Sequence, residues 1–333
     1  MKKETIVKLL MILGLAIAVV VTSPKNESTN QASKSEKLIK VGILQLAEHP
    51  ALDAAKEGFI DGLKEKGYVD GKNIQIDFLN AQGDQSNLKV MSERLVSEKS
   101  DLILSIATPA AQALANETKK IPILTTAVTD LVSAKLAKSN KKPGTNVSGT
   151  SDMTPIKEQI ELLKQLVPSA KTIGFLYNSS EDNSKLQVDI AEKAAKDLGY
   201  TTKSMTVTNT NDVAQNMQVL AAQVDAIYIP TDNTLASAMA TVGKIAREQK
   251  LPVITGESNM ALEGGLATVG IDYYKLGKQT AVMAVEILTK KVKVQNLPVQ
   301  TQSNPQVVIN KQMAEVLGIT VPKELESALK EGK

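Results

Sequence analysis

The chain has 333 residues, 42% of them hydrophobic and 23% charged, which is ordinary globular composition with length for about two domains. Its formal net charge is +3; the first 23 residues, with three lysines and one glutamate, account for +2 of that and leave +1, no electrostatic footprint for nucleic acid. Cysteine is absent and there is one histidine, His49, which excludes disulfides, thiolate catalysis and cysteine-based metal sites and argues against a Ser-His-Asp set or a multi-histidine metal centre.

The N-terminus opens on Lys2 and Lys3 and continues into an uncharged apolar run from Leu9 to Val21. That layout predicts an export segment over residues 1–23, either a cleaved signal peptide or an uncleaved membrane anchor that would hold the body outside the cytoplasm. Residues 24–37 are rich in Ser, Asn, Lys and Glu without apolar periodicity and read as a flexible tether.

From Leu38 onward β-type runs alternate with helical ones. Strands are predicted near Ile39–Leu46, Ile74–Leu79, Leu102–Ile106 and Ile121–Thr125, with helix faces marked by Leu52, Phe59 and Leu63 and by Leu88, Met91, Leu95 and Val96. The turn-rich stretch Ser139–Asp152 hands over to a second, similar set: strands near Thr172–Tyr177, Lys203–Val207, Ala226–Ile229, Pro252–Thr255 and Ala267–Val269. In the helix between the first two of these, Leu186, Ile190, Ala194 and Leu198 recur at i+4 and predict one apolar stripe. A long helix is expected from Tyr273 to Lys290, then a second passage between lobes over Asn296–Asn310 ending in a strand at Val307–Ile309, then helices at Lys311–Leu317 and Lys323–Leu329.

The two halves repeat each other in pattern. Gly42 and Gly67 are 25 residues apart, as are Gly174 and Gly199; SDLILSIAT answers VDAIYIPT, and KKIPILTT answers QKLPVITG. Alternating strands and helices require crossover connections, and crossovers imply parallel sheets covered on both faces. The fold class is therefore α/β, two similar lobes of 38–150 plus about 273–300 and of 151–272 plus about 301–333.

In such sheets ligands bind beyond the carboxyl ends of the strands, so the residues just after each strand are the candidates. The first strand delivers Gln45, Glu48 and His49, where Glu48 is a possible partner for a ligand ammonium or a helix-dipole partner, and His49 a turn residue or a contact. Thr108-Pro109 reads as N-cap and first helical residue, with free N–H groups beyond that suit an anion. Thr129 lies in a hydroxyl-rich loop that could share it. In the second half the candidates are Asn178 and Asn183 for hydrogen bonding, Asp232 and Glu257 for an ammonium, and Asp272 as cap or contact; Tyr177 and Tyr273, with Tyr274, are the aromatics placed to stack on a ligand. Glu181 and Asp182 invite an acid–base reading, but near a helix start capping is the simpler role. No phosphate-binding glycine loop or dinucleotide fingerprint is present, so no cofactor is expected.

The segments VGILQLAEHPALDAAKEGFIDGLKEKGY, GKNIQIDFLNAQGD, LILSIATPAAQALAN, TDNTLASAM and ATVGIDYYKLGKQTA together resemble ABC-transporter substrate-binding proteins of the type I periplasmic-binding fold, in the subgroup associated with tryptophan and tyrosine uptake. The resemblance covers Leu38 to Lys333. It implies a monomer of two lobes joined by three crossing segments, a cleft that closes on an amino acid without altering it, and delivery to a membrane permease. It also implies a ligand carboxylate held by hydroxyls of the first lobe, here Thr108 and Thr129, and an ammonium met by Glu48, Asp232 or Glu257. Members in single-membrane bacteria are commonly lipoproteins, and this chain lacks the cysteine that lipidation needs. A receptor ectodomain with the same cleft, a binding protein for another small solute such as a peptide, nucleoside or sugar, and a hydrolase or transferase using Glu181 and Asp182 are the competing readings.

Overall fold

A computed structural model describes residues 38–332; the expected export segment and tether lie outside the described residues. Strands β1 (Ile39–Gln45), β2 (Ile74–Asn80), β3 (Leu102–Ile106), β4 (Ile123–Val128) and β5 (Val147–Ser151) pair in parallel. With the short β11 (Gln300–Thr301) they form a six-stranded sheet in the order β11-β5-β4-β3-β1-β2. Helices α1 (Pro50–Glu65), α2 (Gln85–Ser97) and α3 (Thr108–Glu117) make its crossovers.

The second sheet holds β6 (Thr172–Asn178), β7 (Thr201–Val207), β8 (Ala226–Ile229), β9 (Val253–Thr255), β10 (Ala267–Gly270), β12 (Gln306–Asn310) and β13 (Leu329–Lys330), in the order β13-β12-β10-β9-β8-β6-β7. It is covered by α4 (Ile156–Leu166), α5 (Asp182–Asp197), α6 (Val213–Ala221), α7 (Asn233–Ala236), α8 (Met239–Glu248), α9 (Ser258–Glu263) and α11 (Lys311–Leu317). One pairing departs from the parallel rule: β12 runs antiparallel to β10, because it enters the sheet directly from the other lobe instead of through a crossover helix, and β13 pairs parallel to β12. The terminal segment expected as a helix is a 3-10 turn, Lys323–Ala328.

Each sheet has its own core. Ile43, Leu44, Phe59, Leu63 and Leu104 centre the first, and Phe175, Tyr228, Leu163 and Val242 the second. The continuous apolar runs LILSI and AIYI are buried on both faces, as central strands of covered parallel sheets must be. The chain passes between sheets after β5, between β10 and the long helix α10 (Tyr273–Leu288), and between β11 and β12. The second passage returns α10 to the first lobe, where Leu276, Ala281 and Ala284 join its core. It lies so close to α1 that a Cβ at Gly58 would sit 2.0 Å from the Tyr274 carbonyl oxygen, and one at Gly277 2.0 Å from that of Ala55. Only glycine permits that approach.

The stripe expected on α5 is rotated. Ser184, Gln187, Val188, Ala191 and Ala195 are buried together with Ala194 of the expected stripe, whereas Leu186, Ile190 and Leu198 are half-buried at its flank. The buried face thus carries a glutamine in its middle, and that glutamine points at the other lobe.

Candidate functional site

The carboxyl ends of the two sheets meet at a small cavity of about 10 Å³, lined by His49, Ala51, Leu52, Ala127, Thr129 and Tyr273 from the first lobe. From the first crossing and the second lobe come Asp152, Asn183, Thr231, Asp232, Asn233, Ala236, Glu257 and Met260. That is room for about one water, so a larger guest requires the lobes to part. A wider, open groove runs along the hinge past Asp272, Tyr274 and Gln302. None of the buried polar atoms lacking a partner belongs to the residues that line it.

The cavity is different. Among the described residues, buried polar side-chain atoms without a hydrogen-bond partner include His49 Nδ1, Asp152 Oδ1 and Asn183 Oδ1, and all three residues line it. A buried polar atom left unmatched costs about 1–3 kcal/mol, so three in one enclosure mark a place made for a polar guest.

Local structure explains how these groups arrive. β1 ends at Gln45, and His49 follows as the extended N-cap residue of α1, though its ring makes no cap bond. Pro50 has no N–H to offer, so the first donors of this 16-residue helix are those of Ala51 and Leu52, both on the cavity wall. In β4 the register against β5 shifts between Thr125 and Val128, and Ala127 takes φ of 56°, a left-handed conformation costly for alanine. The shift brings Ala127 and then Thr129 to the cavity.

Opposite, Asp232 caps α7 by accepting from Leu235 N at 2.9 Å and also accepts from Asn178 N at 2.6 Å. Glu257 caps α9, accepting from Asn259 N and Met260 N at 2.7 Å each. Glu181 stands at the N-cap of α5 without capping it; its carboxylate instead receives Asn233 N and Thr234 N, the Thr234 hydroxyl, and the side-chain amides of Asn183 and Asn233. Asp152 accepts from the Tyr273 hydroxyl at 2.7 Å, joining the first crossing to the second.

The lobes touch through side chains. Gln187 Nε2 donates to Thr231 Oγ1 at 2.6 Å within its own lobe and to Thr129 Oγ1 at 3.3 Å across the cleft. His49 Nε2 meets Asn233 Oδ1 at 3.3 Å, and Gln112 Nε2 donates to Asp182 Oδ2 at 3.0 Å on the rim.

Electrostatically the cavity is acidic. No lysine or arginine is among the described residues lining it. Burial raises the carboxyls of Asp152 and Asp232 above the ordinary range. Burial, with Asp232 adjacent, pushes Glu181 up to about 7, and burial against the pull of the Asn259 and Met260 N–H groups pushes Glu257 to about 7. Burial lowers His49 from 6.5 to about 4, although its bond to Asn233 and the charge of Asp53 oppose this.

Of the residues expected from sequence, Thr129, Asn183, Asp232, Glu257 and Tyr273 line the cavity. Glu48 does not: it is exposed, because the turn after β1 directs the next side chain, His49, inward. Thr108 is buried but does not line the cavity; Ala107 is the N-cap of α3 and Thr108 its first residue, and the helix start that reaches the cavity is that of α1. Gln45 is buried against its own lobe, donating to Ala47 O and Asp53 Oδ1. Asn178 is spent on Thr234 and the Ser180 N–H at the cleft mouth. Tyr177 packs half-buried on the second core, Tyr274 bonds Asp61, and exposed Asp272 caps α10 through Lys275 N. Asp182 is exposed, paired with Lys185. Sequence reasoning assigned no role to Asp152 or Gln187. A lone carboxylate closing a strand at a crossing, and a glutamine i+4 from Asn183 on a helix whose buried face is otherwise small or apolar, were the available signals.

Two lobes with parallel sheets, three crossings and a polar cavity closed between their carboxyl ends define a bilobed binding protein of the type I periplasmic-binding kind. The chain belongs to the ABC transporter substrate-binding protein family, which it matches over residues 40–332. It is 43% identical over 321 residues to a tyrosine-binding protein of Clostridioides difficile (strain R20291), spanning 95% of this chain and 93% of that one. It is similar to a domain from Streptococcus pneumoniae solved in complex with L-Trp, at 44% identity and a TM-score of 0.85, covering 89% of this chain and 100% of that one. With a ligand-free, open substrate-binding protein with adhesive properties from Clostridium difficile the identity is 46% over the same shares of the two chains, but the TM-score falls to 0.68. The chain is thus more similar overall to the complex than to the open protein.

Proposed function

We propose that this protein captures an aromatic L-amino acid, tyrosine or tryptophan, in the interlobe cavity and presents it unaltered to a membrane permease on the outer side of the cell membrane. The observation that carries the reading is the set of partnerless buried polar atoms inside a cavity whose two walls differ in character. The first-lobe wall offers the N–H groups at the start of α1 and the Thr129 hydroxyl, suited to a carboxylate. The opposite wall offers carboxylates, with Asp152 Oδ1 still unmatched, suited to an ammonium. Leu52, Ala127, Ala236 and Met260 supply apolar surface for the side chain. The likeness to a tyrosine-binding protein and to an L-Trp complex supports the choice of ligand.

Binding without chemistry accords with the state of the acids. Glu181 is surrounded by donors on its own lobe, and Asp182 lies on the rim, bonded by Gln112 and Lys185, outside the cavity wall. Among the described residues no helix is long and apolar enough to cross a membrane. Attachment at the cell surface, as a monomer, would rest on the N-terminal segment. The test is a thermal-shift and calorimetric screen of refolded, ligand-stripped protein against amino acids, peptides, nucleosides and sugars. Saturable binding of L-tyrosine or L-tryptophan is expected, with stabilisation of about 2.7 kcal/mol at 100 times Kd; saturable binding confined to another class would overturn the choice of ligand.

A further inference from the structure

We infer that Glu181, which the cavity does not expose, is a positioning residue for the ligand ammonium: through the Asn233 amide it fixes which nitrogen of His49 carries the proton. The inference rests on the amino acid reading above and adds a mechanism to it.

Donors and acceptors are fixed along one chain of contacts. Glu181 Oε2 accepts the backbone N–H of Asn233, a group that can only donate. Oε2 also accepts from Asn183 Nδ2, whose orientation Thr231 O fixes, so two donors already converge on that oxygen and it acts as an acceptor. The Asn233 side-chain amide contacts the same oxygen, so it must present its nitrogen there, and its Oδ1 is turned to His49 Nε2 at 3.3 Å. An amide oxygen accepts only, so Nε2 must be the protonated nitrogen. The buried ring is neutral, hence Nδ1 is left as a bare lone pair.

Asn183 meets the same oxygen. Its Nδ2 donates to Glu181 Oε2 at 3.3 Å and to Thr231 O at 3.1 Å, which leaves its Oδ1 as the unmatched acceptor. With Asp152 Oδ1 the cavity residues then carry three partnerless side-chain acceptors and no partnerless side-chain donor. A primary ammonium is the complementary group, with three N–H donors and no lone pair. Glu181 thereby sets the polarity of the His49 acceptor without touching the ligand, and shares the setting of Asn183 with Thr231 O.

The single histidine makes the tautomer directly readable, since ring nitrogen resonances of a ¹⁵N-labelled sample need no assignment. In protein loaded with L-tyrosine at neutral pH the expected spectrum is Nε2–H with bare Nδ1. Glu181→Gln, whose amide nitrogen can turn towards Asn233, is expected to move the ring towards Nδ1–H and to weaken L-tyrosine about tenfold. Glu181→Asp, which keeps an acceptor, should retain the wild-type tautomer. N-methyl-L-tyrosine, with one donor fewer, should bind at least tenfold more weakly, and the deaminated analogue 3-(4-hydroxyphenyl)propionate should not bind detectably.

An Nδ1–H ring in the loaded wild type overturns the inference even if L-tyrosine binds tightly, and needs no variant to fold. Undiminished binding of the deaminated analogue likewise removes the ammonium role. If neither L-tyrosine nor L-tryptophan binds, the amino acid reading falls and the ammonium role with it, while the spectrum of the unloaded protein still decides whether Glu181 sets the ring.

Discussion

The two lobes share a fold and differ in electrical character. The first presents a helix start, a hydroxyl, a neutral imidazole and small apolar residues to the cavity; the first crossing and the second lobe present Asp152, Asp232 and Glu257. The helix starts explain the contrast. In the first lobe α1 has no side-chain cap and its N–H groups are left for a guest. In the second, α7 and α9 are capped by Asp232 and Glu257, which satisfy the donors and leave carboxylates in their place. Duplicated architecture thus presents free helix N–H groups from one lobe and carboxylates from the other.

The largest expected effect comes from the neutral imidazole. Its value is lowered from 6.5 to about 4 in the folded protein, so its contribution to stability is fully present above about pH 6.5 and is lost as the pH falls towards 4. Urea midpoints of wild type and His49→Gln should therefore diverge over that window by on the order of 3 kcal/mol, wild type losing more on acidification. Glu181 and Glu257, raised to about 7, act in the opposite sense: their contributions are present at low pH and lost as the pH rises towards 7. They act alike in both proteins and cancel in the difference. A constant offset between the two curves would show the ring to be ordinary.

Next in size is the acidic side. Asp152→Asn removes the charge that faces the ammonium, and a hydrogen bond to a charged group contributes about 1.5–3 kcal/mol, so calorimetry should find L-tyrosine bound roughly 10- to 100-fold more weakly. Stability of the unloaded protein should hold or rise, because the variant no longer buries a carboxylate whose ionised form is disfavoured there. Unchanged affinity would move the ammonium elsewhere.

On the neutral side Thr129→Val keeps shape and removes the hydroxyl, with an expected loss of about 1 kcal/mol, near fivefold in Kd. Smallest is Gln187→Ala, which alters no residue of the cavity wall but removes the donor shared by Thr129 and Thr231. It should weaken binding a few-fold and increase the radius of gyration of unloaded protein in X-ray scattering by favouring the open lobes; an unchanged radius would show that the bond does not hold them together.

Much of the scaffold can be read from sequence because burial on both faces leaves unbroken apolar runs. Leu102–Ile106 and Ala226–Ile229 are strands over those residues, and Lys311–Leu317 is a helix over its expected span. The stripe on α5 misled, since Leu186, Ile190 and Leu198 mark its flank and a polar Gln187 lies at its centre. The post-strand rule led to Thr129, Asp232 and Glu257 on the cavity wall, but it cannot choose between adjacent residues. Whether Glu48 or His49 turns inward depends on how the chain leaves β1, and which helix start reaches the cavity depends on the sheet order. Asp152 follows a strand that sits beside a crossing, and its partner Tyr273 lies 121 residues away. Such a pair is created by topology alone.

The close seating of α10 on α1 bears on the order in which the lobes can be completed. Synthesis of the first lobe's five long strands ends at Ser151, yet the helix that covers Gly58 and Gly62 ends only at Leu288, after most of the second lobe has been made. The usual sequence, in which an N-terminal unit folds before its successor emerges, is therefore denied to this chain. Until α10 arrives, the α1 face that receives it stays uncovered, so a chain halted before Tyr273 would combine an unfinished first lobe with a second one still lacking β12, β13 and α11.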